Sequence, residues 1–249
     1  MLIIGHRGAP ASAPENTVAG FEAALAEGAD GVELDLRLTA DGHLVCLHDA
    51  DLERTTDGGG QVAELTLAAV RELDAGARFG AGGEHPFAGR GVRVPTLAEA
   101  LAAVPAPHLV DLEVKAPRGG GRPPEATVEA LAAALAGRDD TARLVVSTFS
   151  GDLARLLVPA VDPVPVGLLT TTLAPIGLAA RAAMRVGCRL LVANEGAYRW
   201  PGTRAAVAWA TRAGCRLAAW TVDEPAMAAR LGRLGVWFAI SNRPGAVKA

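Results

Sequence analysis

Short β-branched or leucine-rich runs alternate along this chain with longer alanine-rich segments whose apolar residues recur at helical spacing. The short runs predict strands over residues 2–5, 31–38, 108–115, 143–148, 164–169, 189–193, 216–222 and 236–241. The longer segments predict helices over 15–26, 125–135, 175–186, 203–213 and 224–234. In the first of these Val18, Phe21 and Leu25 share one face. Eight strands with helices between them call for parallel βαβ units. At 249 residues the chain fits one closed (β/α)8 TIM barrel better than an open sheet with a second domain. No repeat or linker divides it, so residues 1–249 are expected to form one barrel domain.

Three stretches depart from plain alternation. Residues 31–49 read as a strand, a Thr39-Ala40-Asp41-Gly42 turn and a second short strand, which is a hairpin. Residues 75–95 are glycine-rich with scattered apolar positions, and predict a small excursion after a short helix at 65–73. Residues 117–124 (PRGGGRPP) form a Gly/Pro loop directly after the third predicted strand.

Composition narrows the function classes. A net charge of −3 gives no long-range attraction to nucleic acid or anionic lipid, so any phosphate chemistry must rest on local charges or a cation. The three cysteines, Cys46, Cys188 and Cys215, lack the spacing of a disulfide framework or thiolate zinc site, and Cys188 and Cys215 read as reduced core residues. No apolar run approaches a membrane span, and the chain opens on a strand rather than a leader pattern. A soluble cytoplasmic protein without membrane insertion is the expectation.

In an α/β barrel the reactive groups gather at the C-terminal ends of the strands, which is where the unusual polar residues fall. Glu33 and Asp35 lie two apart within Val32-Glu33-Leu34-Asp35-Leu36, so both carboxylates share one strand face and the apolar side chains take the other. Two like charges inside a barrel require raised pKa values or a cation, and a hard divalent ion with oxygen ligands meets that need. Asp111-Leu112-Glu113-Val114-Lys115 repeats the pattern. Glu113 can complete a three-carboxylate metal site, and Lys115 can hold an anionic ligand. His6 and His48 end the first strand and the hairpin, where imidazoles suit general acid and base roles. Arg7 is placed to grip a phosphate oxygen pair. The set suits phosphoryl transfer.

Taken singly, each residue has a plainer reading: an exposed strand face, a core histidine, a surface arginine or lysine. Glu15 is expected to charge the first helical turn, with Asn16 and Thr17 serving the same turn. His43, His85 and His108 are expected to be structural, and Asp111 stands outside the metal set.

The ordered motifs resemble the glycerophosphodiester phosphodiesterase family. They are His6-Arg7-Gly8, Pro14-Glu15-Asn16-Thr17, Gly28 to Asp35, Thr39 to Gly42, His48-Asp49, Leu52 to Gly58, Glu113-Val114-Lys115 and Ala219-Trp220-Thr221-Val222-Asp223. The resemblance covers nearly the whole chain and implies residue roles. Glu33, Asp35 and Glu113 would ligate one divalent cation, for which Mg²⁺, Ca²⁺ and Mn²⁺ are equally suited. His6 would act as base and His48 as acid, Arg7 and Lys115 would bind phosphate, and Trp220 would be either plain core or an apolar wall beside glycerol. A neighbouring glycerol hydroxyl would attack phosphorus and release the alcohol, leaving a cyclic phosphate for water to open. The implied products are sn-glycerol 3-phosphate and an alcohol. One departure is Ser241-Asn242-Arg243-Pro244, where the family often has Thr-Asp-Arg-Pro; it removes a carboxylate from the surroundings of the site.

Other classes make different expectations. Lysophospholipase D-type cleavage of lysophospholipids would want an apolar patch near the mouth, among residues 81–91 and Trp200. A non-catalytic barrel binding phosphorylated small molecules would keep its ligand after His6→Ala and His48→Ala. A barrel isomerase or aldolase would want a phosphate nest after the seventh strand, where this chain has acidic Asp223-Glu224-Pro225.

Overall fold

Nine strands form one sheet in the computed structural model, which describes residues 1–80, 82–117, 122–171 and 174–248. In chain order they are β1 (Leu2–His6), β2 (Gly31–Leu38), β3 (Leu44–Cys46), β4 (Leu109–Val114), β5 (Leu144–Thr148), β6 (Val166–Thr170), β7 (Leu190–Asn194), β8 (Arg216–Trp220) and β9 (Phe238–Ser241). Eight of these run parallel, and the β1–β2 pairing closes the circle, giving a TIM barrel. β3 stands outside as the antiparallel arm of the hairpin, Leu36 facing Cys46 and Leu38 facing Leu44. Its turn is held by Thr39, whose hydroxyl donates to Asp41 (2.7 Å) and accepts from the His43 amide (2.9 Å).

The helices are α1 (Val18–Ala26), α2 (Leu67–Arg71), α3 (Leu97–Ala103), α4 (Pro124–Leu135), α5 (Gly151–Ala160), α6 (Ile176–Arg185), α7 (Thr203–Arg212), α8 (Pro225–Leu234) and α9 (Pro244–Lys248). None of them is long and apolar enough to cross a membrane. α1 starts at Val18 rather than Glu15, because the Thr17 hydroxyl accepts from the Gly20 amide (3.1 Å) and caps the helix there. Three helices go beyond the sequence expectation: α3, α5 and α9. α3 carries a complete capping box, Thr96 with Glu99. α5 is capped by Ser150 and buries Leu153, Ala154 and Leu157. Between α2 and α3, residues 72–96 contain no helix or strand among the described residues. Ala75 and Val94 from this stretch pack with Val45, Leu47, Leu52, Val62 and Val70 in a small core of their own.

Alternation along the strands separates two larger cores. Val32, Leu34 and Leu36 of β2, with Val110, Leu112 and Val114 of β4, pack outward against helix residues such as Phe21, Leu101 and Leu131. A second cluster draws its buried members from strands alone: Ile4, Leu109, Val145, Leu169, Leu190, Val192, Ala218, Phe238 and Ile240. It therefore fills the barrel interior. β2 adds nothing apolar to it, since its inward positions are Gly31, Glu33 and Asp35. Gly31 is required by contact: a Cβ there would lie 1.9 Å from the Leu109 carbonyl oxygen. The interior is thus apolar below and acidic toward the mouth of β2 and β4.

Candidate active site

Register sets the polar layer. Glu33 pairs with His6 on one side and Asp111 on the other, and Asp35 pairs with Glu113. Ligand atoms of Glu33, Asp35 and Glu113, all buried, lie within 4.8 Å of one another. Glu33 and Asp35 therefore do share a face, and Glu113 joins them. Burial, reinforced by the Asp35 and Glu113 charges, pushes Glu33 well above the ordinary carboxylate range. Burial and the Asp35 charge push Glu113 up to about 7, with Lys115 offsetting part of the rise. Asp35 goes the other way: burial opposes its ionisation, but Lys115 and Arg7 outweigh it and hold the pKa low. Asp111 lies fully buried beneath them and is raised to about 7, chiefly by burial, with Ser147 partly countering.

These residues fit a hard divalent cation. The Glu33 Oε1 atom is buried without a hydrogen-bond partner, which is costly for an oxygen that can ionise and natural for a metal ligand. Lys115 is the present counter-charge. Its Nζ lies 2.7 Å from Asp35 Oδ1 and bonds the Glu113 carboxylate. Burial lowers the Lys115 pKa, but the two carboxylates more than compensate and raise it. Arg7 is similarly engaged, with Nε 3.2 Å from Asp35 and Nη1 2.9 Å from Glu15. Both cations expected to meet phosphate thus lean on site carboxylates.

The turn after β1 is what aims Arg7. Arg7 has a positive φ of 53°, and Gly8 follows at 91°. A side chain on Gly8 would strike the Gly20 carbonyl oxygen at 2.4 Å, so the turn sits directly on α1. In that conformation the Arg7 amide donates to Glu33 Oε2 (2.8 Å). His6 Nδ1 meets Asn242 Oδ1 at 2.7 Å, and Nε2 lies 3.9 Å from Glu33. Burial lowers the His6 pKa, and Arg7 lowers it further. His48 Nδ1 meets Asp49 Oδ1 at 2.8 Å, and burial again lowers its pKa.

His6, Arg7, Glu33, His48, Glu113, Lys115 and Trp220 line one cavity of about 140 Å³, together with Phe149, Leu169 and Ile240. An adjoining cleft of about 520 Å³ shares His48, Glu113, Lys115 and Phe149, and adds Asp49, Asp51 and Thr171. Trp220 is half-buried; its Nε1 donates to the Thr170 carbonyl (3.2 Å) and its ring meets Phe149 edge-on at 5.2 Å. His43, His85 and His108 line neither cavity.

Two residues do more than the sequence suggested. Glu15 is absent from α1 and instead bonds Arg7 and both terminal nitrogens of Arg54 (2.7 and 2.8 Å). Asn16 also leaves the helical turn. At φ 53° its Nδ2 donates to Asp35 Oδ2 (2.7 Å) and its Oδ1 accepts from the Asp35 amide (3.0 Å). Arg54 closes a chain by bonding Asp49, which holds His48. The sequence carried a signal for these in the Pro14–Thr17 and Leu52–Gly58 motifs, but not their partners. Phe149 was missed, although its place just after β5 puts it on the rim. Of the stretch expected to form an acyl-binding patch, Ala81 lies outside the described residues, as do residues 118–121 of the Gly/Pro loop; Trp200 is 48% exposed.

A closed parallel barrel with acidic and imidazole groups gathered at its C-terminal mouth is the architecture of the α/β-barrel enzymes. The chain belongs to the glycerophosphoryl diester phosphodiesterase family, whose model matches residues 6–246. It is 30% identical to YhdW of Bacillus subtilis over 245 residues, 98% of this chain and 95% of that one. A glycerophosphodiester phosphodiesterase of Caldanaerobacter subterraneus is 47% identical over 115 residues, which span 46% of this chain and only 45% of that relative. Among solved structures, an Oleispira antarctica phosphodiesterase in complex with the product sn-glycerol-3-phosphate superposes with a TM-score of 0.81. It is 26% identical, and the match covers all of this chain and 95% of that one.

Proposed function

We propose that this chain hydrolyses glycerophosphodiesters to sn-glycerol 3-phosphate and an alcohol, as one catalytic barrel domain spanning residues 1–249. The observation that carries the reading is the meeting of Glu33, Asp35 and Glu113 at a cavity that Glu33 and Glu113 line together with His6 and His48. The family match and the product held by the Oleispira relative support the substrate class. Neither supports the lysophospholipid reading or a non-catalytic binder over it. Three free, buried cysteines suit a reducing cytoplasmic setting.

Glu33, Asp35 and Glu113 would hold one divalent cation, which when bound supplies Lewis acidity and charge neutralisation at the phosphoryl oxygens. The rest falls to the protein. Arg7 and Lys115, already among the carboxylates, orient the phosphodiester. Half-buried, with its pKa lowered toward the neutral form, His6 takes a proton at Nε2 from the attacking hydroxyl. His48, anchored by Asp49 through Nδ1, gives a proton from Nε2 to the departing alkoxide when in its imidazolium form. In the second stage it recovers that proton from the water that opens the cyclic phosphate, and His6 returns its own to the glycerol oxygen. Trp220 and Phe149 give the glycerol an apolar wall and limit water.

The test is release of glycerol 3-phosphate from glycerophosphocholine and glycerophosphoethanolamine, before and after chelation. Activity is expected to fall to background on chelation and return with Mg²⁺, Mn²⁺ or Ca²⁺. No release from any glycerophosphodiester with any of these ions would sink the proposal.

A further inference from the structure

His6 does not stand alone on the rim. Its Nδ1 meets the Asn242 side chain at 2.7 Å, and Asn242 is in turn gripped by Asp223 at the end of the segment following β8. One Asp223 oxygen, Oδ1, accepts from the Asn242 backbone amide (2.7 Å) and from the Ser241 hydroxyl (2.9 Å). The other, Oδ2, accepts from Asn242 Nδ2 at 2.8 Å. The Ser241 hydroxyl spends its proton on Asp223 and accepts the Arg243 amide (3.0 Å) on a lone pair, so both Asp223 oxygens are engaged as acceptors.

The two ends of a carboxamide are chemically opposite, one accepting and one donating, and only their neighbours decide which way it turns. Turned about, Asn242 would set its oxygen 2.8 Å from an Asp223 oxygen, acceptor against acceptor. The donor end must therefore face Asp223, leaving the oxygen for His6. An oxygen at 2.7 Å from Nδ1 requires a hydrogen on Nδ1. In the neutral ring the lone pair is then on Nε2, the nitrogen on the Glu33 side.

We infer that Asp223 is a positioning residue: by orienting the Asn242 carboxamide it holds His6 in the Nδ1–H tautomer and keeps Nε2 free to accept a proton. This rests on the reading of His6 as the base. The carboxylate expected to be lost at position 242 is thus present one shell further out, and an aspartate at 242 would place two carboxylates face to face.

The test reads the tautomer directly, by ¹⁵N NMR of the imidazole rings of the full chain in alkaline buffer, with His6 assigned by comparison with His6→Gln. In the native chain His6 is expected to show the Nδ1–H pattern. In Asp223→Asn, where the Asn242 amide is released to turn, and in Asn242→Ala, which deletes the acceptor but leaves Asp223 its bonds to Ser241 and the backbone, Nε2–H is expected to gain population. Turnover of a glycerophosphodiester should fall at least about 10- to 100-fold in kcat with KM little changed, the scale for an outer partner that orients a functional histidine. Persistence of Nδ1–H in Asp223→Asn overturns the inference; should that variant not fold, persistence in Asn242→Ala does so. An inactive native chain with the expected tautomer shifts would overturn the proposed activity and leave this inference standing.

Discussion

At the scale of single residues, the site is stabilised poorly by its own charges. Glu113 illustrates the cost. Burial first, and the Asp35 charge second, raise its pKa from 4.5 to about 7. A carboxyl whose folded pKa is raised holds its proton more tightly when folded, so its contribution declines as pH rises from about 4.5 through about 7. In metal-free protein Glu113→Gln is therefore expected to raise the melting temperature at pH 8 and to leave it nearly unchanged at pH 4.5. The same substitution should abolish metal-dependent activity. Paired thermal melts at the two pH values check this, and a lower melting temperature for the variant at pH 8 would refute it. The carboxylates and histidines were legible in the sequence because strand alternation fixes which side chains share a face. Glu15, Asn16 and Arg54 were not, because their partners lie across loops whose paths depend on left-handed turns at Arg7 and Asn16.

Elements tell a similar story. Each of the eight barrel strands falls where the apolar runs predict, within two residues at either end, and the hairpin appears at its Thr39–Gly42 turn. α3 went unpredicted since it is short, and α5 because Pro159 interrupts its apolar pattern. Their caps were nevertheless written in the chain, most clearly as Thr96-Leu97-Ala98-Glu99. Thr96→Ala should cost about 1 kcal/mol of stability, the ordinary worth of such a cap. Glu99 is held down to about 2, chiefly by Arg71. Its contribution is complete above its ordinary 4.5 and is lost as pH falls toward 2. Denaturant titrations of native chain and Glu99→Gln should accordingly converge in acid and diverge near neutrality; an equal gap at both would contradict the assignment.

For the molecule as a whole, the closed barrel ties stability to its strand-only interior cluster. Phe238 is fully buried there, in the last strand, which bonds to both β8 and β1. Phe238→Ala is expected to cost about 3–5 kcal/mol, read as a lowered urea midpoint, because the cavity opens among strands that hydrogen bonding holds in place. A loss under about 1 kcal/mol would mean that the interior relaxes around the gap. The rim follows a different logic. Asp49, Arg54, Glu15 and Arg7 link the loop bearing His48 to the turn bearing His6, and the linkage ends on Asp35. Chimeras that graft the segment after β3 from another member of the family must therefore bring a matching residue for Glu15. Otherwise the incoming loop arrives without its clasp, and Glu15 is left holding Arg7 with nothing beyond it.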